Sequence, residues 1–543
     1  MMNKYLIILL MLAVSGCDRP SPDTTKTSNV EPEDMSASAE FVAVLPKELD
    51  SLHNPEAVIP PQCYTKTEKK YNPCYTCHQS HPYGTRPNVM QDQGLQGDYD
   101  FSEVGVNNQW HNLFVDRRAA IAFVSDQDII DYVDRDNYSK LSTRLENQGW
   151  QGYLPDLNNL HLAQAAFEAD GFAKDDSGWV AFNYKPLAST FWPTNGATDD
   201  VFIRLPEAFR SDSQGRYNKS VYQANLAILE ANIKAEDVAH VIDMDEATVG
   251  FDLNNDGVLN IASHIDMPDH YVGAASAINT VEMLYPEGTE FLHTVRYVGV
   301  NEQGDIYVPK RMKELRYMRK IAFFSAPKIA SIYGNEHQEK IDGNLPKYPR
   351  AGDWGLDNKM GWQISGFIEN SQGELRVQNY EENFFCMGCH TTIGATIDHT
   401  FAFPRKVSGP AGWGYINLKG MKDAPVMGEQ EGEILTYLKR VCGGDEFRQN
   451  DEMKAKFFLS ECEVNEEAVA AADVYALISP SRERALALNK AYRLIVEEQS
   501  FEKGRDASIA PAINVFKSID QHAEPLQESH RHSSDIRLDW ALE

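Results

Sequence analysis

Two short strings of this 543-residue chain contain residue types that can hold a redox cofactor. Both have the spacing Cys-x-x-Cys-His, in one case Cys74, Cys77 and His78, in the other Cys386, Cys389 and His390. In this pattern the two thiols form thioethers to a haem, and the histidine ligates its iron as the proximal ligand. The sequence therefore predicts two covalently bound c-type haems. The alternative is a pair of disulfides or zinc sites, but zinc needs two further ligands per site, and no other Cys or His pair has zinc-finger spacing.

The N-terminus predicts export. Lys4 is followed by an apolar run, residues 5–14, that is too short to span a bilayer and has the flanks of a signal peptide. The run leads into Val14-Ser15-Gly16-Cys17, which resembles a bacterial lipobox. The resemblance implies cleavage after residue 16 and lipidation of Cys17, and several acyl chains together anchor a protein stably. The alternative is an ordinary secretory signal that leaves Cys17 unmodified.

Composition limits the partners. The net charge of −29 argues against nucleic acid and against anionic lipid surfaces, and it is compatible with a basic redox partner protein or a small-molecule substrate. A solvated acidic surface is an equally good interpretation. We expect a lipid-anchored protein on the periplasmic side of a bacterial membrane, with Asp18 a weak indication of the inner one.

The remaining cysteines predict one disulfide. Cys442 and Cys462 are expected to pair in an oxidising compartment, closing a loop of about 20 residues that stabilises the fold by roughly 3 kcal/mol. Cys63 is then the odd thiol. A bridge from Cys63 to one of the other two is the alternative.

The order of patterns along the chain predicts an α+β protein, with mainly helical, cytochrome c-like haem regions and a mixed α/β middle region that contains hairpins. Helices are predicted over 126–133, 222–235, 432–439, 466–477 and 481–500, a strand over 201–205, and hairpins with turns at 301–304 and 370–373. The predicted regions are a signal peptide (1–16), a flexible tether (17–45), the first haem region (46–150), the middle region (151–345), the second haem region (346–445) and a helical C-terminal region (446–543).

The second axial ligand of each iron decides between electron transfer and catalysis, because a sixth protein ligand closes the iron to substrates. For the second haem, Met421 and Met427 follow His390 and precede the predicted helix at 432–439, with His399 or an open site as alternatives. For the first haem, His111 is the candidate and Met90 the alternative. His81 is too close to His78 to ligate the same iron, so it either serves another haem or is exposed.

Two further segments carry charged residues. Asp252, Asn254 and Asp256 have the spacing of the first half of a calcium loop, but position twelve is Ser263 instead of Glu, so a plain turn is an equal alternative to a Ca²⁺ site. The segment 310–320 contains six Lys and Arg residues in an otherwise acidic chain. It is interpreted as a solvated face, with haem propionates or an acidic partner as alternatives.

With its lipobox and two haem motifs, the chain resembles the di-haem c-type cytochrome lipoproteins of Gram-negative bacteria, and more weakly the di-haem peroxidases and rubber oxygenases. It differs from the latter in the 312 residues that separate Cys74 from Cys386. The resemblance implies an exported protein that carries out electron transfer. The alternative is a di-haem oxidoreductase with one open iron, which a chain of this size favours, and a third possibility is a haem-bearing binding or sensor module.

Overall fold

The computed structural model describes residues 51–542 with the exception of 68–69, 82–83, 85, 97–100, 189–195, 443–449, 521–530 and 534. The predicted signal peptide, the tether and the lipidation site Cys17 lie outside these residues. The described residues belong to one compact unit, Ala43–Glu543.

An antiparallel sheet of seven strands organises the described part of the chain. Its strands pair in the order β1-β2-β5-β8-β10-β11, and β9 pairs with the free part of β10. The strands are β1 (Val180–Ala181), β2 (Thr198–Arg204), β5 (Glu290–Arg296), β8 (Met312–Lys320), β9 (Leu356–Asp357), β10 (Trp362–Glu369) and β11 (Leu375–Val377). The remaining strands form three two-stranded ribbons: β3 (Val238–Asp245) with β4 (Ile261–Asp266), β6 (Gly299–Val300) with β7 (Ile306–Tyr307), and β12 (Phe458–Ser460) with β13 (Glu463–Val464).

Helices surround the sheet, and three of them are longer than ten residues: α5 (Lys219–Lys234), α7 (Ala326–Ile341) and α14 (Arg482–Glu498). The shorter helices are α1 (Arg118–Ile121), α2 (Asp126–Val133), α3 (Leu141–Asn147), α4 (Ala163–Ala166), α6 (Glu246–Val249), α8 (Tyr380–Phe384), α9 (Ala402–Arg405), α10 (Glu433–Val441), α11 (Asp451–Phe457), α12 (Glu466–Ala471) and α13 (Val474–Ile478). α5 is buried on nearly all sides, which explains why it needs no strongly polar face.

Several predicted elements are confirmed, and one is wrong. The helix predicted over 126–133 is α2, and the one over 481–500 is α14, each begun by a serine whose hydroxyl accepts a backbone N–H. Both predicted hairpins form, β6–β7 and β10–β11. The single helix predicted over 466–477 is instead two, because the side chain of Asp473 accepts the N–H of Ala476 and begins a new helix, α13.

The prediction of mainly helical, cytochrome c-like haem regions is wrong. The sheet is the largest element, and the region around the first motif consists of short 3-10 turns and irregular chain up to residue 117. In the second region, β9 to β11 precede the motif. The physical reason lies in β10, which pairs with strands on both sides and is buried along nearly its whole length, so its apolar residues favour a central strand and not a helix.

Candidate functional site

The two Cys-x-x-Cys-His strings fold into the same tight turn. In the first, the carbonyl of Cys74 accepts the N–H groups of Cys77 at 3.2 Å and of His78 at 2.9 Å. In the second, the carbonyl of Cys386 accepts those of Cys389 at 3.2 Å and His390 at 3.1 Å. One helical turn therefore separates the two cysteines of each motif, as attachment to two vinyl groups of one porphyrin ring requires.

Helix α8 positions the second turn. Asn379 and Glu382 form a capping box at its start, and Arg376 binds both oxygens of Glu382 at 2.8 Å. The helix runs directly into a 3-10 turn, Phe385–Gly388, that contains the first cysteine. A short helix thus receives its stability from its cap and its buried ion pair.

Both motif histidines are held through Nδ1. The Nδ1 of His78 is bonded to the carboxylate of Asp92 at 2.8 Å, and that of His390 to the backbone carbonyl of His399 at 2.8 Å. Because these oxygens only accept, each Nδ1 carries the proton, and Nε2 presents its lone pair to a metal. Burial lowers the pKa of His390 to about 4, so its ring is neutral at pH 7, as an iron ligand must be.

The fold brings the two motifs into contact. The N–H of Ala395, five residues after the second motif, donates to the carbonyl of Cys77 at 2.9 Å. A Cβ at Gly394 would lie 2.2 Å from the carbonyl oxygen of Gln79 and 2.2 Å from the Asp92 carboxylate, so the contact requires glycine. Two segments that are 312 residues apart in the sequence therefore pack backbone against backbone.

The thiols of the two motifs lie near enough to influence each other's pKa. Burial, and after it the neighbouring Cys77 thiol, raise the pKa of Cys389 to about 12. Burial also raises the pKa of Cys63, and Cys74, Cys77 and Cys389 add to the rise. The four motif cysteines and Cys63 are all free thiols, whereas Cys442 and Cys462 form a disulfide. The alternative of disulfides within the motifs is therefore wrong, and among the described residues no three His, Cys, Asp or Glu side chains are grouped as a metal site would need.

The second motif lies against one face of the sheet. The side chain of Asn383, in α8, donates to the carbonyl of Ile364 on β10 at 2.8 Å. Beyond the motif, Asn358 donates to the carbonyl of His390 at 2.8 Å. The neighbouring Asp398 pairs with Lys320, at the end of β8. The sheet is thus the platform on which the second turn rests.

Four polar residues of the sheet lie on this face, and Arg505 reaches them from the chain that follows α14. We name the five the sheet-face cluster: Asp199, His293, Glu314, Arg316 and Arg505. Within it, His293 Nε2 lies 3.2 Å from Asp199, and Glu314 binds Arg316 at 2.9 Å and Arg505 at 3.0 Å. Although burial opposes it, the two guanidinium groups hold the pKa of Glu314 at about 2. The Glu314 carboxylate is therefore ionised at neutral pH.

The interpretation of segment 310–320 as a solvated face is wrong. Arg311, Lys313 and Lys320 are buried, each less than 5 % exposed. Their partners come from elsewhere: Arg311 pairs with Glu369 at 3.0 Å, and Lys313 donates to the carbonyl of Gly196. These buried side chains need hydrogen-bonding or charged partners, because burying an unpaired ion costs free energy.

The candidate distal ligands lie in different surroundings. Met421 is buried in the main core, and its carbonyl accepts the N–H of Val474 at 2.8 Å, while Met427 is 40 % exposed. The ring of His111 lies 5.1 Å from the ring of His53, and the backbone N–H of His53 donates to the carboxylate of Glu381 in α8. His111 is thus linked through His53 to the segment that leads into the second motif, and its role as a ligand of the first haem stays a prediction. His81 is buried next to Arg86, so the alternative of an exposed His81 is wrong.

The calcium-like loop is closed by its own hydrogen bonds. Asp252 accepts the N–H of Gly257 at 2.8 Å, Asn254 that of Asp256 at 3.2 Å, and Asp256 that of Val258 at 2.8 Å. The buried Glu246 accepts three further N–H groups of this loop. These bonds hold the loop as a turn, and the Ca²⁺ site stays a prediction.

Comparison with known proteins identifies the family. A model of a lipoprotein family matches residues 47–477. A protein of Aquifex aeolicus described as an uncharacterized lipoprotein is 31% identical over 514 residues, which cover 84% of this chain and 86% of that protein. The chain therefore belongs to this lipoprotein family, which indicates an exported, lipid-anchored protein. No solved structure matches the chain.

The assignment to the di-haem cytochrome lipoproteins, or to the di-haem peroxidases and rubber oxygenases, is wrong. The matching family spans both motifs and all seven strands of the sheet, and neither its description nor that of the relative refers to haem. None of the described helices has the length and apolar character needed to cross a membrane.

Sequence reasoning missed His293, Asp92 and Arg505 as members of the site. Asp92 and Arg505 have no motif of their own and meet the two turns only through tertiary packing. His293 interrupts an apolar alternation in β5, which was the one available signal, but its neighbours depend on a strand register that the sequence does not specify.

Proposed function

We propose that this lipoprotein carries two covalently attached c-type haems, one on each Cys-x-x-Cys-His turn, and transfers electrons through them. The observation that carries the proposal is the contact between two turns of the same geometry, closed by the bond from Ala395 to Cys77. A haem supplies one-electron chemistry by alternating between ferric and ferrous iron. Sites that lie side by side suit the passage of an electron from one to the other.

In this proposal each chain residue has a defined task. Cys74 and Cys77 hold one haem and Cys386 and Cys389 the other, while the two histidines ligate iron through Nε2. Asp92 and the carbonyl of His399 fix the ring orientation of these histidines, as outer partners of metal-bound histidines do.

The surroundings suit an exchange of electrons at a membrane surface. The lipid anchor holds the protein at a bacterial membrane, and we place it on the periplasmic side. The net charge of −29 favours a basic protein as the redox partner, because opposite charge speeds diffusional encounter.

A second candidate function is an oxidoreductase in which the iron held by His390 is open to substrate. The sheet-face cluster favours it, because Arg316 lies within electrostatic range of the Cys386 and Cys389 sulfurs and His293 within range of His390. Ionised groups next to a redox centre can tune its potential, and they can also bind and protonate a substrate.

The haem content of the exported, lipidated protein tests the proposal. A pyridine haemochrome assay should give two haems per chain, one in Cys77→Ser and one in Cys389→Ser. The control Cys63→Ser removes a buried thiol of the same group and should retain two. A mature protein whose mass includes no tetrapyrrole on either motif peptide would overturn the proposal.

A further inference from the structure

The ribbon formed by β3 and β4 has one buried and one exposed face. Ala239 of β3 and Ile265 of β4 pair directly, and both are buried in the main core, on the side where the ribbon contacts α5. Successive side chains of a strand point to opposite faces, so the neighbours of these two residues point away from the core. The ribbon therefore presents a second face outward.

The outward face is rich in aliphatic side chains. Val238 and Ile242 of β3 and Ile261 of β4 are between 48% and 59% exposed, and so are Val258 and Leu259 in the loop that leads into β4. Single exposed hydrophobic residues are ordinary on a protein surface. A group of them within one ribbon and its connecting loop is typical of a surface that binds a partner.

A cavity of about 500 Å³ lies next to this face. Its walls come from Ile242 and Met244 of the ribbon, from Leu226 of α5 and from the rings of Phe172 and Trp413. Because Ile242 is also half exposed, the cavity borders the outward face of the ribbon. An apolar recess beside an exposed aliphatic patch suits an anchor side chain of a protein partner.

The charged groups around the aliphatic side chains are acidic. Asp243 and Asp245 are exposed on β3, and Asp245 pairs across the ribbon with Ile261. No lysine or arginine occurs within residues 235–295. A complementary partner therefore carries lysine or arginine around an apolar anchor, whereas a second copy of this surface or an anionic lipid would be repelled.

We propose that the outward face of the β3–β4 ribbon is a docking surface for a positively charged protein. The partner places an apolar side chain in the cavity next to Ile242 and basic side chains against Asp243 and Asp245. This inference does not depend on haem attachment, because the ribbon contains neither Cys-x-x-Cys-His motif. It assigns the basic partner to a defined surface, which the net charge of the whole chain does not do.

Photo-crosslinking in intact cells tests the surface. Benzoylphenylalanine replaces Ile242 in the full-length protein, which is expressed in the bacterium that produces it. We expect irradiation to join this position to a different protein, and mass spectrometry should find lysine or arginine beside the crosslinked residue of that protein. The matched control is the same replacement at Ile341, which is 65% exposed at the end of α7 and should give no such product.

Two further substitutions, made together with the crosslinker at position 242, separate the apolar and the charged contributions. Ile261→Ser should lower the crosslinking yield about fivefold, because it removes an exposed aliphatic contact, whereas Leu459→Ser, at a similarly exposed position of β12, should not change it. Asp243→Asn should lower the yield about threefold, and the control Asp116→Asn removes an exposed carboxylate outside the ribbon.

Several outcomes would overturn the docking surface. A product joined only to a second copy of this chain or only to lipid does so, and so does a partner whose crosslinked peptide is acidic. A yield at position 242 no higher than that at position 341 also overturns it. None of these substitutions changes a Cys-x-x-Cys-His turn, so the haem count stays a separate measurement and the two proposals fail separately.

Discussion

Replacing Asp92 by asparagine should raise the reduction potential of the first haem. Asp92 is buried and accepts from His78 Nδ1 at 2.8 Å, so its charge reaches the iron through the imidazole ring. A negative partner stabilises ferric iron, which carries one more positive charge than ferrous iron. Asparagine keeps the shape and an acceptor oxygen but removes this charge.

The size of the shift follows from the two kinds of hydrogen bond. A hydrogen bond to a charged group contributes about 1.5–3 kcal/mol, and one between neutral groups contributes about 0.5–1.5 kcal/mol. Replacing the Asp92 carboxylate by an amide should therefore destabilise the ferric state relative to the ferrous state by about 1 to 1.5 kcal/mol. Since about 1.4 kcal/mol corresponds to about 59 mV for one electron, we expect a rise of about 40–60 mV. His390 bonds a neutral carbonyl, so the potential of the second haem should not change and should also be the higher of the two.

A spectroelectrochemical titration of the two-haem protein measures both potentials at once. The control is Asp116→Asn, which removes an exposed carboxylate paired with Arg118. A potential of the first haem that stays constant or falls in Asp92→Asn, or equal shifts at both haems, would show that the reasoning about the Asp92 carboxylate is wrong.

Three predictions concern stability, and each is measured by denaturant unfolding. Gly394→Ala should lower the free energy of unfolding by about 1–3 kcal/mol, because its Cβ meets backbone and carboxylate atoms; Gly94→Ala, where the space is open, is the control, and equal effects would contradict the argument. Reduction of the Cys442–Cys462 disulfide should cost about 3 kcal/mol without release of haem, since it closes a loop of 20 residues; an unchanged midpoint would contradict it. Arg405 and Lys185 hold the pKa of Glu433 at about 2, against the effect of burial. The ionised Glu433 therefore makes its full contribution to the free energy of unfolding above pH 4.5, and this contribution is lost as the pH falls toward 2. In Glu433→Gln the decrease of the free energy of unfolding between pH 4.5 and 2 should be smaller by about 2–3 kcal/mol than in the parent protein. An equally large decrease in both proteins would refute this.

The local structure of the site follows from the sequence to a large extent. The Cys-x-x-Cys-His spacing predicts the two attachment sites, and the apolar spacing predicts α2 and α14 with bounds that differ by at most two residues. These features depend on neighbours within one or two turns of the chain. Structure that depends on residues close in the sequence can therefore be predicted from the sequence.

The assembly of the site does not follow from the sequence. The contact of Ala395 with Cys77, and the pairing of His293 with Arg316, depend on tertiary packing and strand register. The same applies to the buried charges of β8, whose partners Glu369 and Asp398 lie on other elements. A run of lysine and arginine looks solvated until the distant carboxylates are known.

The burial of the first motif in the finished fold has a consequence for biogenesis. In the finished fold, burial raises the pKa of Cys74 to about 12 and that of Cys77 to about 11, so these thiols are poor nucleophiles. On the proposed function, an attachment enzyme must therefore reach both peptides while the newly exported polypeptide is still open. Haem attachment must then precede the folding of the motif region. A chain that folds before attachment would stay without haem.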